Sequence, residues 1–298
     1  MKIVNIIGGL GNQMFQYAFA LFLKERFPNE EVRIDVSHFN HIFLKKWKTA
    51  NLHNGYELST VFPNLSLKRA TPIQLMRTSY YIPNYLLSRF SRRYLPKRKS
   101  EYIESIKQHY EYHDDVYAKD IHYYEGIWGS VHYYLPIRDK LRIEFAHGSP
   151  NKVNDDYIQA IKKEASVGIH VRRGDYLQER TMMGICDISY YQRSIEEMLS
   201  DHKSHTFYIF SDDREWCENN IVPLVHGNQV RIVHENCGMM SCWDMFLMTY
   251  CKDLIIANST FSWWGAFLNN RNGRIIAPQK WFNRDAIFDV WQDEWIKK

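Results

Sequence analysis

The chain has 298 residues, of which 45% are hydrophobic and 24% charged. That length and balance are enough for two domains of ordinary size, each with its own core, and exclude a disordered or low-complexity chain. Net charge is +4 and aromatics reach 15%, with 20 Tyr and 9 Trp, a content that suits planar or carbohydrate ligands and aromatic cores alike.

In chain order, the β-branched run Ile3–Ile7 predicts a strand. It runs into Gly8-Gly9-Leu10-Gly11-Asn12-Gln13, and apolar residues then recur at helical spacing over Met14–Phe27, closed by Pro28 and Asn29. Glu31–Val36 predicts a second strand. Strand, glycine turn, helix, strand is the opening of a doubly wound α/β domain. The glycines let backbone approach a ligand closely, and the spacing is out of register with a dinucleotide fingerprint. Gly9, Asn12 and Gln13 are the ligand-facing candidates of this turn, since short amides at a helix start can hydrogen-bond sugar hydroxyls.

Residues 40–110, rich in Tyr, Lys, Arg and Pro, predict helices and loops inserted in the first domain. Between Leu58 and Ser100 there is no acidic residue, while Lys68, Arg69, Arg77, Arg89, Arg92, Arg93, Lys97, Arg98 and Lys99 are basic. Such a block is either a solvated face or a contact for an anionic surface. Peripheral membrane contact through 68–99 is the expectation carried forward. Nucleic acid is not, because no binding module accompanies the charge. Ser130–Phe145 predicts a helix, and His147–Asn151 reads as a linker. The domains are therefore expected at 1–148 and 149–298.

In the second half, Asn154–Glu164, Ser189–Leu199, Glu215–Asn220 and Trp243–Cys251 predict helices. Val167–Val171, Thr206–Phe210, Val230–Val233, Leu254–Ala257 and a final Ile275–Ala277 predict strands of a parallel sheet. Three strands end in polar clusters: His170, Arg172, Arg173 and Asp175; Ser211, Asp212 and Asp213; Asn258, Ser259, Thr260, Phe261 and Ser262. Ligands bind beyond the carboxyl ends of strands in such sheets, and paired guanidinium groups match phosphate oxygens. Asp212 and Asp213 are read as helix cap and nucleotide contact rather than metal ligands, and Trp263-Trp264 as core. Five cysteines without a CxxC pair, no signal-peptide pattern and no apolar run of bilayer length point to a cytoplasmic protein, peripheral at the inner membrane face if the basic block makes its contact.

Gly8–Gln16 (GGLGNQMFQ), His170–Tyr176 (HVRRGDY), Ser211–Asp213 and Asn258–Gly265 (NSTFSWWG) resemble the motifs of family 11 glycosyltransferases, the α-1,2-fucosyltransferases, in the family's order. The resemblance implies a GT-B type α/β architecture: two Rossmann-like domains facing a central cleft, the C-terminal one binding GDP-β-L-fucose. It implies inverting transfer of L-fucose to the 2-hydroxyl of a galactose in an oligosaccharide or lipid-linked glycan, without metal or other cofactor. By the same carry-over Arg173 is on the diphosphate and His170 and Asp175 shape the site; the catalytic candidates are thus Arg173, Asp175 and His170, with Asp175 the candidate for the general base that inversion calls for. Arg172, Ser211, Asp212, Asp213, Asn258, Ser259, Thr260, Phe261 and Ser262 join Arg173 around the donor, and Gly9, Asn12 and Gln13 face the cleft from the first domain. The rival readings are another fucosyltransferase sharing HxRRxD (α-1,6 or protein O-linked), a non-catalytic glycan- or nucleotide-binding protein, and a metal-dependent phosphotransferase.

Overall fold

Strand β1 (Lys2–Asn5) leaves its sheet at Gly8 and Gly9, and helix α1 (Leu10–Arg26) starts at once. The computed structural model that shows this describes residues 1–39, 54–79, 81, 85–96 and 98–298. Gly8 has φ +82°, a left-handed backbone that glycine adopts without strain and that turns the chain sharply into the helix. The helix thus begins at Leu10 rather than Met14, and Asn12 and Gln13 lie in its first turn instead of a loop. Gly11 and Asn12 are weak helix formers, which hides this turn from periodicity.

Two units form, one of Met1–Ala146 with Ala286–Val290, the other of His147–Asp285 with Trp291–Lys298. In the first, β2 (Val32–Asp35) is followed by α2 (Leu58–Val61), β3 (Lys68–Arg69), α3 (Pro72–Thr78), α4 (Tyr85–Tyr94), β4 (Glu101–Ile103), β5 (Tyr123–Glu125) and α5 (Arg138–Glu144). Its sheet is parallel, in the order β3-β2-β1-β5-β4. The region expected to be an insertion therefore supplies both edge strands. The helix expected over Ser130–Phe145 is confined to Arg138–Glu144, preceded by two short 3-10 turns, the second of which carries Pro136. Helix α1 is buried along most of its length. Its Phe19 stacks on Trp128 with ring centroids 4.1 Å apart, and burying a ring of that size contributes about 1.5–3 kcal/mol.

The second unit alternates α6 (Lys152–Lys163), β6 (Ser166–Val171), α7 (Ile188–Leu199), β7 (Thr206–Ser211), α8 (Arg214–Asn220), β8 (Gln229–Val233), α9 (Cys242–Tyr250), β9 (Asp253–Ile255), α10 (Thr260–Leu268), β10 (Ile275–Ala277) and β11 (Ile296–Lys297). The last strand was not expected; it pairs with β10. The parallel sheet runs β11-β10-β9-β6-β7-β8. Strand β6 is buried at every position and sits at its centre. Gly168 belongs there because an added Cβ would come within 2.7 Å of Leu254 Cδ2. Trp263 and Trp264 are fully buried, Trp263 stacked on Phe267 at 4.8 Å, so the pair is core as expected. The molecule is thus α/β with two Rossmann-like units, the content expected of the GT-B class. Among the described residues no helix is long and apolar enough to cross a membrane.

Candidate active site

The strand order of the second sheet reverses between β6 and β9, and a crevice at such a reversal, beyond the strand C-termini, is where ligands bind in open α/β sheets. The chain leaves β6 at Arg172 and Arg173. Arg172 is engaged on every nitrogen: Nε and Nη2 reach Asp175 Oδ1 at 3.0 and 2.8 Å, and Nη1 reaches Asp212 Oδ2 at 3.1 Å. Arg173 is held differently. Its backbone N–H donates to Asp212 Oδ1 (2.9 Å) and its Nε to Asp213 Oδ2 (2.9 Å), while the guanidinium lies 4.2 Å from the centre of the Trp216 ring. No described contact uses its two terminal nitrogens, and three-quarters of the side chain is out of solvent.

Backbone geometry makes this arrangement possible. Gly174 follows the arginines with φ −12° and ψ −99°, and a Cβ there would sit 2.7 Å from Asp212 Oδ2. Glycine lets the Asp212 carboxylate close on Arg172. Asp213 serves twice: Oδ1 accepts from Trp216 N (3.1 Å) as the cap of α8, and Oδ2 holds Arg173. The hydrogen bond from Arg173 holds the Asp213 carboxyl below its ordinary range, so it is an anion at neutral pH. Ser211 Oγ accepts from Asp213 N (3.0 Å) and fixes the turn between them.

Third comes the end of β9. Asn258 is buried, its Nδ2 donating to Trp281 O (3.2 Å) and its Oδ1 accepting from Cys186 Sγ (3.4 Å). Burial raises the Cys186 thiol to about 12, so it stands there as a neutral thiol, not a thiolate nucleophile. Ser259 caps α10 through Phe261 N (3.4 Å), and Ser262 Oγ donates back to Ala257 O (3.3 Å). Thr260 and Phe261 are half-buried at the helix start. His170 is buried within β6 against Phe261, ring centroids 5.7 Å apart, and its Nδ1 has no partner. Burial, helped by the nearby Arg172 charge, lowers its pKa to about 3. The ring is therefore neutral at physiological pH and is not a phosphate-binding cation.

Arg172, Arg173, Asn258, Tyr176, Trp216 and Met183 are among the residues lining a cavity of about 260 Å³. Trp216 and the Met182–Gly184 loop were missed by the sequence reading. A Trp in a helix reads as core, and only its place one turn beyond Asp213 hints otherwise. Among the described residues no group of three or more His, Cys, Asp or Glu side chains could hold a metal ion, and both candidate carboxylates of the β7 end are already taken by arginines.

The first unit places its expected residues otherwise. Gln13 is fully buried. Its Nε2 donates to Gly8 O (2.9 Å) and Gly55 O (2.8 Å), and its Oε1 accepts from Glu57 N (3.0 Å). It ties a distant loop to the glycine turn instead of presenting its amide to a ligand. Gly9 is the helix cap position, with no side-chain cap on α1, and Asn12 is half-buried beside Gly8.

A family model described as Glycosyl transferase family 11 matches residues 1–298. An α-1,2-colitosyltransferase of Escherichia coli is 30% identical over 311 residues, covering 99% of this chain and 98% of that protein. The O-antigen biosynthesis glycosyltransferase WbnK of Escherichia coli is 28% identical over 312 residues, 97% of each. Human galactoside α-(1,2)-fucosyltransferase 1 is 33% identical over 107 residues, 34% of this chain and 28% of that protein.

Proposed function

This chain belongs to glycosyl transferase family 11 and is a glycosyltransferase, and on that footing we propose that it transfers L-fucose from GDP-β-L-fucose to the 2-hydroxyl of a galactose residue in a glycan, with inversion and without a metal. The observation that carries the reading is the half-engaged guanidinium of Arg173. Asp213 and Trp216 hold it in place, while its terminal nitrogens stay open for a diphosphate. Arg172, held on each of its three nitrogens by Asp175 or Asp212, is the scaffold beside it.

As the bond between fucose and phosphate breaks, negative charge grows on the β-phosphate. A fixed cation stabilises that charge more in the transition state than in the ground state, which raises the rate and not merely the affinity. Two groups oriented by carboxylates and a ring lose little freedom at that moment. Inversion requires the acceptor hydroxyl to attack from the opposite face and give up its proton. Asp175 is the candidate base: both Arg172 contacts fall on Oδ1, leaving Oδ2 for a proton. Asp212 and Asp213 act here through the arginines, and Ser259 and Thr260 at the start of α10 offer hydroxyls toward the nucleotide.

One relative favours a second donor. The colitosyltransferase matches nearly end to end, and colitose is L-fucose lacking its 3-hydroxyl. The experiment therefore offers GDP-fucose and GDP-colitose separately to a panel of β-galactosides in EDTA, following released GDP and product mass. Addition of one deoxyhexose to galactose, but not to 2-deoxygalactose, supports fucose transfer. Addition of one dideoxyhexose from GDP-colitose alone replaces the donor. No GDP release and no binding of either sugar nucleotide overturns the proposal.

A further inference from the structure

We propose that helix α4, with the basic stretch that carries it, docks the protein on an anionic phospholipid bilayer. An amphipathic helix on a globular domain normally turns its apolar stripe to the core and its polar side to water. Helix α4 does the reverse. Ser88 is fully buried, while Leu87, Phe90 and Tyr94 are 51%, 61% and 66% exposed. Those three fall at i, i+3 and i+7, one stripe of a helix. Phe90 and Tyr94 pack on each other with ring centroids 4.4 Å apart, so the stripe is a continuous aromatic ridge.

Scattered single apolar side chains on a surface need no explanation, but a ridge does. Leu95 extends it past the helix end, and Ile73 and Met76 of α3 are also exposed. Arg98 donates to Ser79 O (3.5 Å), tying the segment after α4 to the end of α3.

Charge identifies the occupant. From Leu58 to Ser100 the chain has nine basic and no acidic residues. Arg89, Arg92 and Arg93 belong to α4 itself; their side chains, and Lys97 altogether, lie outside the described residues. An exposed aromatic and aliphatic stripe in a segment that is basic throughout suits a headgroup layer, the apolar side chains toward the acyl chains and the segment's cations drawn to the phosphates. A protein partner would have to be acidic and apolar at once over the same few residues; an anionic bilayer is both everywhere.

The test uses the full chain with large unilamellar vesicles of phosphatidylcholine alone or mixed with phosphatidylglycerol, in a sedimentation assay, with the oligomeric state followed by light scattering. Binding is expected to the anionic vesicles, at least tenfold weaker to neutral ones, and to fall at least tenfold between about 50 and 500 mM salt as the charges are screened. The Leu87→Ser/Phe90→Ser variant should bind anionic vesicles at least tenfold more weakly, with unchanged circular dichroism and thermal midpoint. Phe90→Leu, which keeps an apolar side chain, should retain binding. Equal binding by the double Ser variant, equal binding to both vesicle types, or no binding would overturn the proposal. So would a dimer that the same substitutions dissolve, since the ridge would then belong to a second copy. Sugar transfer plays no part in any of these readouts, so the outcome stands apart from the proposed reaction.

Discussion

Replacing Arg173 with alanine separates catalysis from stability in this site. The side chain is a quarter exposed and its partner Asp213 a third exposed, so the ion pair contributes only about 0.5 kcal/mol to folding. Its stacking on Trp216 adds ~1 kcal/mol. Together these amount to a fall in thermal midpoint of about 3–6 °C at ~2–4 °C per kcal/mol. The catalytic loss is larger. One preorganised donor aimed at developing charge is worth roughly 2.7–4 kcal/mol, or about a 10²- to 10³-fold fall in kcat. Steady-state kinetics well below the midpoint, with donor and acceptor varied separately, read this directly. Asp213→Asn sharpens the comparison, because asparagine caps α8 as well as aspartate does but no longer fixes the guanidinium; its loss should be smaller and lie mostly in donor KM. A fall in kcat below tenfold for Arg173→Ala, or a fall confined to acceptor KM, would refute the assignment of Arg173 to the leaving diphosphate.

Glu104 is buried, accepts from Ile127 N (2.7 Å) and Trp128 N (3.2 Å), and has its other oxygen unpartnered; burial pushes its pKa to about 8. The folded state then holds a proton that the unfolded chain releases near pH 4, so stability falls as pH rises from about 4 to 8. Glu104→Gln, which keeps an acceptor for both N–H groups, should match the parent at pH 4 and exceed it increasingly up to pH 8; a midpoint difference independent of pH would contradict this. Gly273→Ala places a Cβ 1.7 Å from Lys252 O, a backbone atom that cannot rotate away. It should cost about 3 kcal/mol or more in denaturant unfolding, whereas Gly148→Ala, with nothing within 4 Å, should be neutral. Finally, EDTA should leave the transfer rate unchanged and added Mg²⁺ or Mn²⁺ should not raise it; abolition by EDTA would reinstate a metal-dependent reaction.

What the sequence revealed and concealed follows from how local each signal is. Strand β6 carries the apolar run Val167, Gly168, Ile169 and Val171, and the three polar clusters lie at or just past the ends of their strands, so the second sheet and its candidate site could be read from adjacent positions. Strand β3 is two exposed basic residues and β11 two residues near the chain end, too short for any period-2 pattern. Gln13 looked ligand-facing because its neighbours are glycines, yet its partners lie 42 and 44 residues away in sequence. The difference between Arg172 and Arg173 was equally hidden. Two adjacent arginines look alike until Asp175 and, from the end of another strand, Asp212 together occupy all three nitrogens of one, while Asp213 takes only Nε of the other.

The short return of Ala286–Val290 to the first unit bears on how the protein is made. Asp289 accepts from Tyr112 N through Oδ2 (2.8 Å), its carbonyl accepts from Val131 N, and its own N–H donates to Tyr110 O (2.8 Å). A ribosome that has released residues 1–146 has therefore not yet supplied everything their unit needs. The first unit can close only once residue 290 has been made, long after its own 146 residues, and a gene cut at the 146/147 boundary would yield a first half lacking the five residues that close it.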